Sequence, residues 1–193
     1  MLGYLDKYKI ILGSNSPRRK DLLAGLGISF ETRLMPDIDE SYPDMLEKEE
    51  IPLYIAKQKA KAYTPDLLEN ELLITADTIV WINGKVLGKP ADREDAVLML
   101  QTLSGNTHEV ITGVYMATLE KSVSFSVRST VRFAPVRNED IAYYVDTFKP
   151  YDKAGAYGIQ EWIGYVAVEG IEGSFYNVMG LPIQRVYQEL LKF

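Results

Sequence analysis

Apolar residues recur along the chain with two spacings, one of three to four residues and one of two. The first spacing is typical of a helix with one buried face, and the second of a half-buried strand. Helices are therefore predicted over 50–63, 93–103, 138–148 and 181–193. Strands are predicted over 9–14 and 28–35, and antiparallel strand pairs over 71–90, 108–136 and 163–173.

The segment LGSNSPRRKDLL, residues 12–23, joins the first strand to a further predicted helix. Ser16 is suited to cap this helix, and Pro17 to occupy its first position. Arg18 and Arg19 fall in the first turn, where the helix dipole disfavours cations and favours anions. The segment therefore indicates either a solvated turn or a site in which an anion joins the two arginines.

The order of the predicted elements mixes helices with antiparallel strand pairs. A chain of 193 residues is long enough for one domain with a substantial core. We therefore expect a single domain over residues 1–193 of the α/β class, with a mixed, partly antiparallel sheet and flanking helices. A cleft between two lobes is the expected place for a functional site.

Composition and charge exclude several classes of protein. The chain has no cysteine, which rules out disulfide bonds, thiolate metal sites and cysteine nucleophiles. Its formal net charge of −6 is unfavourable for a general nucleic-acid-binding surface. We recognise neither a signal peptide nor an apolar run long enough to cross a membrane, so we expect a cytoplasmic protein without nucleic-acid or membrane partners.

Asp77 has the most unusual surroundings among the candidate catalytic residues. It stands between the apolar segments LLITA and TIVWI, where a carboxylate is costly unless it is paired, hydrogen-bonded or bound to a metal. It is either a general base tuned by its surroundings or a structural carboxylate that accepts backbone hydrogen bonds. The other carboxylates that could hold a divalent cation or activate water are Asp37, Asp39 and Glu40. The cations that could meet a polyanion are Arg18, Arg19, Lys59, Lys89 and Lys153.

Other familiar catalytic patterns are missing from the sequence. His108 is the only histidine and no serine stands in a G-x-S-x-G turn, which excludes a serine hydrolase triad and a histidine-rich zinc site. The sequence has no G-x-x-x-x-G-K-[ST] phosphate loop. The segment KAGAYGIQ is not a dinucleotide fingerprint, although its glycines permit a close approach of the backbone to a ligand.

Five motifs occur in the order found in the Maf family of nucleoside triphosphate pyrophosphatases: GSNSPRRKDLL, ADTIV, LGKP, LSGNTHEVITGV and DKAGAYGIQ. The chain resembles that family over nearly its whole length, from about Lys9 to Leu191. The resemblance implies a Maf/ITPase-like α/β fold with two lobes around a central cleft. It also implies hydrolysis of a nucleoside triphosphate to the monophosphate and diphosphate with a divalent cation, Mg²⁺ or Mn²⁺.

The resemblance further implies roles for individual residues. Asp77 matches the proton acceptor and Glu40 matches a carboxylate associated with metal and water, so both are expected to hold the metal. The positions that match members acting on dTTP and UTP are Arg18, Thr78 and Gln160. The positions that contact the phosphates or shape their pocket are Ser14, Arg19, Lys59, Lys89 and Lys153. At Glu161 and Trp162 the chain departs from many relatives, which have glycine and a smaller residue there.

The expected reaction is attack of water on the α-phosphorus, with Asp77 as the base and diphosphate as the leaving group. Such a reaction needs positioning and charge neutralisation, which arginines, lysines and a divalent cation supply. Two alternatives stay open at this point. One is a pyrophosphatase for inosine or xanthosine triphosphate, and the other is a non-catalytic nucleotide-binding regulator of cell division. The resemblance also implies a homodimer.

Overall fold

The strands of the molecule form a mixed sheet. The computed structural model describes Leu5, residues 7–36 and residues 38–193. The strands are β1 (Lys9–Leu12), β2 (Phe30–Thr32), β3 (Glu71–Ile82), β4 (Lys85–Leu87), β5 (Thr107–Ala117), β6 (Ser122–Phe133) and β7 (Val168–Glu172). Within the described residues they make a seven-stranded sheet in the order β2-β1-β3-β5-β6-β7, with β4 paired to β3 off this path.

The strand directions confirm the predicted mixture of parallel and antiparallel pairs. β1 runs parallel to both β2 and β3. β4 is antiparallel to β3, and β7 is antiparallel to β6. Between β3 and β4 the chain turns at Asn83 and Gly84, whose φ angles of 52° and 76° are those of a tight hairpin turn. The central strand β3 therefore lies between β1 and β5, with β4 beside its carboxyl end.

Three of the predicted helices begin and end at the predicted residues, and the C-terminal helix is shorter than predicted. The helices are α1 (Pro17–Ala24), α2 (Glu50–Tyr63), α3 (Arg93–Leu103), α4 (Asn138–Phe148), α5 (Trp162–Ala167), α6 (Phe175–Met179) and α7 (Ile183–Leu190). In the part of the chain that the structure describes, none of the helices combines the length and the apolar character that crossing a membrane requires.

The prediction of a strand pair over 163–173 is wrong. The first half of that segment is the helix α5, and only the second half is a strand, β7, which pairs with β6. Ile163 and Ala167 are both buried and stand four residues apart, which places them on one face of a helix. The predicted strand over 28–35 is also reduced, to the three residues of β2.

The chain divides into two compact units, and the first consists of Met1–Asp77, Thr112–Val127 and Gly180–Phe193. Two apolar clusters fill this unit. The members of one cluster include Leu12, Leu23, Leu72, Ile74, Val114 and Val186. The members of the other are Ile11, Ala60, Tyr63, Leu67 and Leu73. Their burial packs α1, α2 and α7 with β1 and β3, which brings the segments carrying Ser14, Arg19, Lys59 and Asp77 into one unit.

The second unit consists of Thr78–Ile111 and Arg128–Met179, and it has a core of its own. The buried side chains of this core include Leu100, Val131, Phe133, Tyr144, Val145, Tyr157 and Ile163. They come from α3, β6, α4, the glycine-rich segment and α5. The core therefore anchors both ends of the segment 149–161, which joins α4 to α5.

Candidate functional site

The start of α1 has the geometry that the first motif predicts. Ser16 caps the helix, its side-chain oxygen accepting from the backbone N–H of Arg19, and Pro17 occupies the first turn. Upstream, the Oγ of Ser14 accepts from the backbone N–H of Ser16 at 3.2 Å. The first turn contains no acidic residue. The positive end of the helix dipole at this turn therefore favours an anion.

Main-chain oxygens fix the side chain of Arg19. Its Nε donates to the carbonyl of Gly180 at 2.7 Å, and its Nη1 donates to the carbonyl of Ala76 at 2.9 Å. Nη1 also reaches the Oγ of Ser14 at 3.5 Å. These bonds from a rigid, planar guanidinium fix the orientation of the group. The guanidinium is therefore held at the base of α1.

The charge of Arg19 is balanced by its neighbours. Burial lowers the pKa of Arg19, and the adjacent charge of Arg18 lowers it further, whereas Asp77 and Glu40 raise it. The charges of Arg18, Asp77 and Glu40 thus all act on the guanidinium of Arg19. An arginine remains protonated at neutral pH even with a lowered pKa, so the site retains its positive charge for an anionic ligand.

Asp77 lies within the central strand. The first seven residues of β3, from Glu71 to Asp77, are all buried. Asp77 itself is only 8% exposed. The adjacent residue Ala76 gives its carbonyl oxygen to Arg19. The strand therefore presents a carboxylate and a main-chain acceptor side by side in a largely desolvated place.

Lys59 joins Asp77 to Glu40. Its Nζ lies 2.7 Å from Asp77 Oδ1 and 3.0 Å from Glu40 Oε1. The ammonium is nearly buried, whereas the Glu40 side chain is 45% exposed. The two carboxylates thus converge on one cation, with Asp77 on the buried side and Glu40 on the solvent side.

A glycine in β5 lets α2 approach closely enough to bring Lys59 to this position. A Cβ at Gly113 would lie 2.4 Å from the backbone nitrogen of Leu53 and 2.4 Å from the backbone carbon of Pro52. Those atoms belong to the first turn of α2. The absence of a side chain at Gly113 therefore fixes how near the helix lies to the sheet.

Of the other predicted carboxylates, Asp39 has local partners and Asp37 lies outside the described residues. Asp39 accepts from the backbone N–H and the hydroxyl of Ser41 at 2.8 and 2.9 Å. These hydrogen bonds lower the pKa of Asp39. In the part of the chain that is described, no group of three or more His, Asp or Glu side chains gathers in a way that could hold a metal ion. The assignment of Glu40 and Asp77 as metal ligands stays a prediction.

The remaining predicted site residues belong to the second unit. Thr78 follows Asp77 in β3 and is half-buried, and Lys89 is exposed after β4. Lys153 is 7% exposed, and its Nζ lies 2.7 Å from Asp152 Oδ1 and 3.1 Å from Glu161 Oε1. Gln160 has a buried Oε1 for which the described residues offer no hydrogen-bond donor. The roles of these four residues stay predictions.

Sequence reasoning missed the groups that hold the predicted residues in place. The carbonyls of Ala76 and Gly180 orient Arg19, but every residue type has a carbonyl, so no residue pattern marks them. The partners of Lys153, Asp152 and Glu161, could have been found from the sequence, because a lysine placed in a site requires a nearby carboxylate once it is buried. Both acids stand close to Lys153 in the sequence.

The chain is similar to proteins of known type over its full length. The family model described as Maf-like protein matches residues 9–193. A protein of Parabacteroides distasonis is 63% identical over 193 residues, with all of both chains covered, and a protein of Bacteroides fragilis is 59% identical over 190 residues, with 98% of each chain covered. Both carry the name dTTP/UTP pyrophosphatase. Among solved structures, a HAM1 protein from Coxiella burnetii is 14% identical with a TM-score of 0.47, covering 96% of this chain and 100% of its own.

Proposed function

The chain belongs to the Maf family, and from this premise we propose that it hydrolyses dTTP and UTP to the monophosphate and diphosphate. The observation that carries the proposal is the 63% identity, over all of both chains, to a protein named dTTP/UTP pyrophosphatase. The reaction needs a base for water and cations for the triphosphate. We assign the base to Asp77 and the cations to Lys59 and Arg19, which all lie in the first unit.

Asp77 is the proposed base. A base must be held within hydrogen-bond reach of the water from which it takes a proton. The Lys59 ammonium, 2.7 Å from Asp77 Oδ1, fixes the orientation of this carboxylate. Lys59 is proposed to hold Asp77 in position and to contribute positive charge beside the phosphates.

Arg19 and Ser14 are the proposed phosphate contacts at the start of α1. The N-terminus of a helix favours phosphate through its free N–H groups and its dipole. Arg19 adds a guanidinium, which can bind two phosphate oxygens at once. Its anchors on Gly180 and Ala76 hold it in place before the substrate arrives, so little conformational entropy is lost when the phosphates bind.

The carboxylates of the site fit a divalent cation. Mg²⁺ is usually bound by one or two carboxylates together with substrate phosphates. Glu40 and Asp77 are two such carboxylates, and their joint contact with the Lys59 ammonium is evidence that they converge on a positive charge. When bound, Mg²⁺ or Mn²⁺ neutralises phosphate charge and lowers the pKa of water. The choice between these ions is left to the experiment below.

The proposed role of Arg18, Thr78 and Gln160 is to select the nucleobase of the substrate. Lys89 and Lys153 are proposed to contact the phosphates. The orphaned Oε1 of Gln160 supports its role, because an amide without an internal partner is suited to pair with the polar edge of a pyrimidine. A site that hydrogen-bonds one base edge rejects a base whose edge leaves its polar groups unpaired. Replacing Gln160 by alanine should therefore reduce the preference for dTTP over purine nucleotides.

We extend the proposal to the whole chain as one cytoplasmic Maf-like domain over 1–193 that forms a homodimer. The family match runs through residues of both compact units, which supports treating them as one functional domain. Light scattering of the purified protein tests the dimer directly. A mass of 21.8 kDa, that of a single chain, would contradict it.

A substrate panel with detection of diphosphate tests the function. Purified protein is incubated with dTTP, UTP, dCTP, dATP, GTP, ITP and XTP, each with Mg²⁺, with Mn²⁺ and with EDTA. We expect diphosphate from dTTP and UTP with a metal, little from the purine nucleotides and none in EDTA. Hydrolysis confined to ITP and XTP, or tight binding of dTTP without diphosphate release, would replace the proposed function with one of the two alternatives.

A further inference from the structure

The segment between α4 and α5 carries two predicted site residues, Lys153 and Gln160, on largely irregular backbone. A loop needs internal contacts to hold such side chains in one arrangement, because it lacks the regular hydrogen bonds of a helix or strand. Several contacts of this segment involve one side chain, that of Glu161.

Glu161 joins Lys153 to the core of the second unit. Its Oε1 lies 3.1 Å from Lys153 Nζ. Its Oε2 accepts a hydrogen bond from the hydroxyl of Tyr144. Tyr144, on α4, is fully buried and stacks on Phe148. The carboxylate is therefore a bridge between a rigid aromatic side chain and a lysine ammonium.

The same pair of residues also holds the backbone next to Gln160. Tyr144 Oη accepts from the backbone N–H of Gly158 at 3.1 Å, and the backbone N–H of Glu161 donates to the carbonyl of Gly158 at 2.9 Å. A Cβ at Gly158 would lie 2.9 Å from Glu161 Cδ and 3.1 Å from Gln160 Nε2. The carboxyl of Glu161 and the amide of Gln160 thus pack on the same glycine.

Lys153 has a second carboxylate partner, Asp152, but that partner is less able to fix its position. The Asp152 side chain is 56% exposed, whereas that of Glu161 is 21% exposed and bonded to a buried tyrosine. Exposed ion pairs are screened by water and hold their partners weakly. Of the two contacts, the one from Glu161 has the geometry to set where the ammonium lies.

We propose that Glu161 is a positioning residue that sets the place of the Lys153 ammonium and of the Gln160 amide through its bridge to Tyr144. The inference rests on the proposed function, in which Lys153 contacts phosphate and Gln160 contacts the base. Glu161 itself touches no substrate in this scheme. It acts through Lys153 and through the backbone at Gly158.

A double-mutant cycle tests the bridge to Lys153. The four proteins are the wild type, Glu161→Gln, Lys153→Met and the double variant, and kcat and KM for dTTP are measured for each. Since coupled residues in contact show non-additive effects, Glu161→Gln is expected to lower kcat/KM about tenfold in the wild type and less than about twofold in Lys153→Met. Additive losses, or no loss in Glu161→Gln, would overturn the proposal.

Two further variants separate positioning from simple stabilisation. Tyr144→Phe removes only the hydroxyl that anchors Glu161, and it is expected to raise KM for dTTP about threefold while the far-UV spectrum stays unchanged. Glu169→Gln is the matched control, because Glu169 forms a surface ion pair with Arg132 in the same unit. It is expected to leave both constants unchanged. If Tyr144→Phe had the kcat and KM of the wild type, the proposed anchoring of Glu161 by Tyr144 would be wrong. This result would stand even if Glu161→Gln failed to fold.

Failure of the proposed function gives a different result from failure of the inference. If the wild type releases no diphosphate from dTTP, the function is wrong, and the same four proteins are then compared by calorimetric Kd for dTTP. A non-additive cycle in Kd would still support the coupling of Glu161 to Lys153. An additive cycle would overturn it.

Discussion

At the scale of single residues, the candidate site is a set of charges held in place before a ligand binds. Lys59 is the central member, because both Asp77 and Glu40 lie within 3.0 Å of its Nζ. Removing one partner of a nearly buried pair leaves the other charge uncompensated, which costs more than the pair contributes. Substitutions that keep the shape of the side chain therefore give the clearest test of chemical roles.

Asp77→Asn keeps the size of the side chain and removes its ability to accept a proton. Loss of a general base costs about 10²- to 10⁴-fold in rate, so kcat for dTTP should fall by about that factor. Steady-state kinetics with diphosphate detection measures the change. The matched control is Asp146→Asn, because Asp146 pairs with Arg93 on the surface and should be kinetically silent. Wild-type turnover in folded Asp77→Asn would remove Asp77 from the mechanism.

His108 gives a prediction about pH. Burial lowers the pKa of His108 from 6.5 to about 4. It lies against Phe133, and its Nε2 is 2.7 Å from the hydroxyl of Tyr157. Between pH 6.5 and pH 4 His108 binds a proton in the unfolded chain but not in the folded chain. The contribution of His108 to stability is therefore fully present above pH 6.5 and is lost as the pH falls towards 4.

The expected loss between pH 7.5 and pH 5 is about 2 kcal/mol in the free energy of unfolding. Urea unfolding at the two pH values measures it, and His108→Gln is the comparison because the chain has no other histidine. The variant should lose less stability than the wild type over this interval. An equal loss in both proteins would show that protonation of His108 does not cause the loss of stability.

The residues of the site differ in how far the sequence could predict them. Asp77 was recognisable because a carboxylate inside an apolar strand requires a partner. The partner itself, Lys59, is 18 residues away and was one of several candidate lysines. Contacts at such separations depend on how α2 packs on the sheet, which the local sequence does not specify. The family resemblance pointed to Lys59 as a phosphate contact, and the structure shows that its ammonium lies beside Asp77.

At the scale of elements, the predictions succeeded where periodicity and end signals agreed. Helix α3 begins after Asp92, whose side chain accepts from the backbone N–H of Asp95, and it ends at the residue predicted. The error over 163–173 arose because apolar residues there alternate as in a strand while Ile163 and Ala167 also fit a helix. Over such a short segment, packing on the core decided between the two.

The contact of α2 with β5 predicts the effect of a single methyl group. Gly113→Ala would place a Cβ against the backbone of Pro52 and Leu53, which cannot rotate away as a flexible side chain can. We expect a loss of about 2 kcal/mol in the free energy of unfolding. Because α2 carries Lys59, kcat/KM for dTTP should fall as well.

Urea unfolding and dTTP kinetics measure the two effects of Gly113→Ala, and Gly170→Ala is its control. The atoms nearest to a Cβ at Gly170 would be those at the end of the Arg132 side chain, which can move aside. The control should change stability by less than about 0.5 kcal/mol. Equal effects of the two substitutions would mean that the approach of α2 to β5 is not specified by Gly113.

At the scale of the whole molecule, the chain has to bind an anion although its own net charge is negative. The formal net charge is −6, so the net charge of the protein does not attract a triphosphate. In the proposed function, binding depends instead on cations that the fold gathers locally, such as Arg19 and Lys59 in the first unit. The free energy of ligand binding then adds to the stability of the folded state.

Thermal unfolding with nucleotides measures this coupling. In Asp77→Asn, which should bind dTTP without turning it over, dTTP at about 100 times its Kd should add about 2.7 kcal/mol to the free energy of unfolding. For a chain of this length the unfolding midpoint should rise by about 5–10 °C.

Scanning calorimetry compares dTTP with dATP and with inorganic triphosphate at one concentration. Because inorganic triphosphate contains no base, its shift isolates the phosphate contacts, and the larger shift with dTTP measures what the base adds. Equal shifts with dTTP and dATP would contradict the proposed selection of pyrimidines, and no shift with any of the three would mean that these cations do not form a triphosphate site.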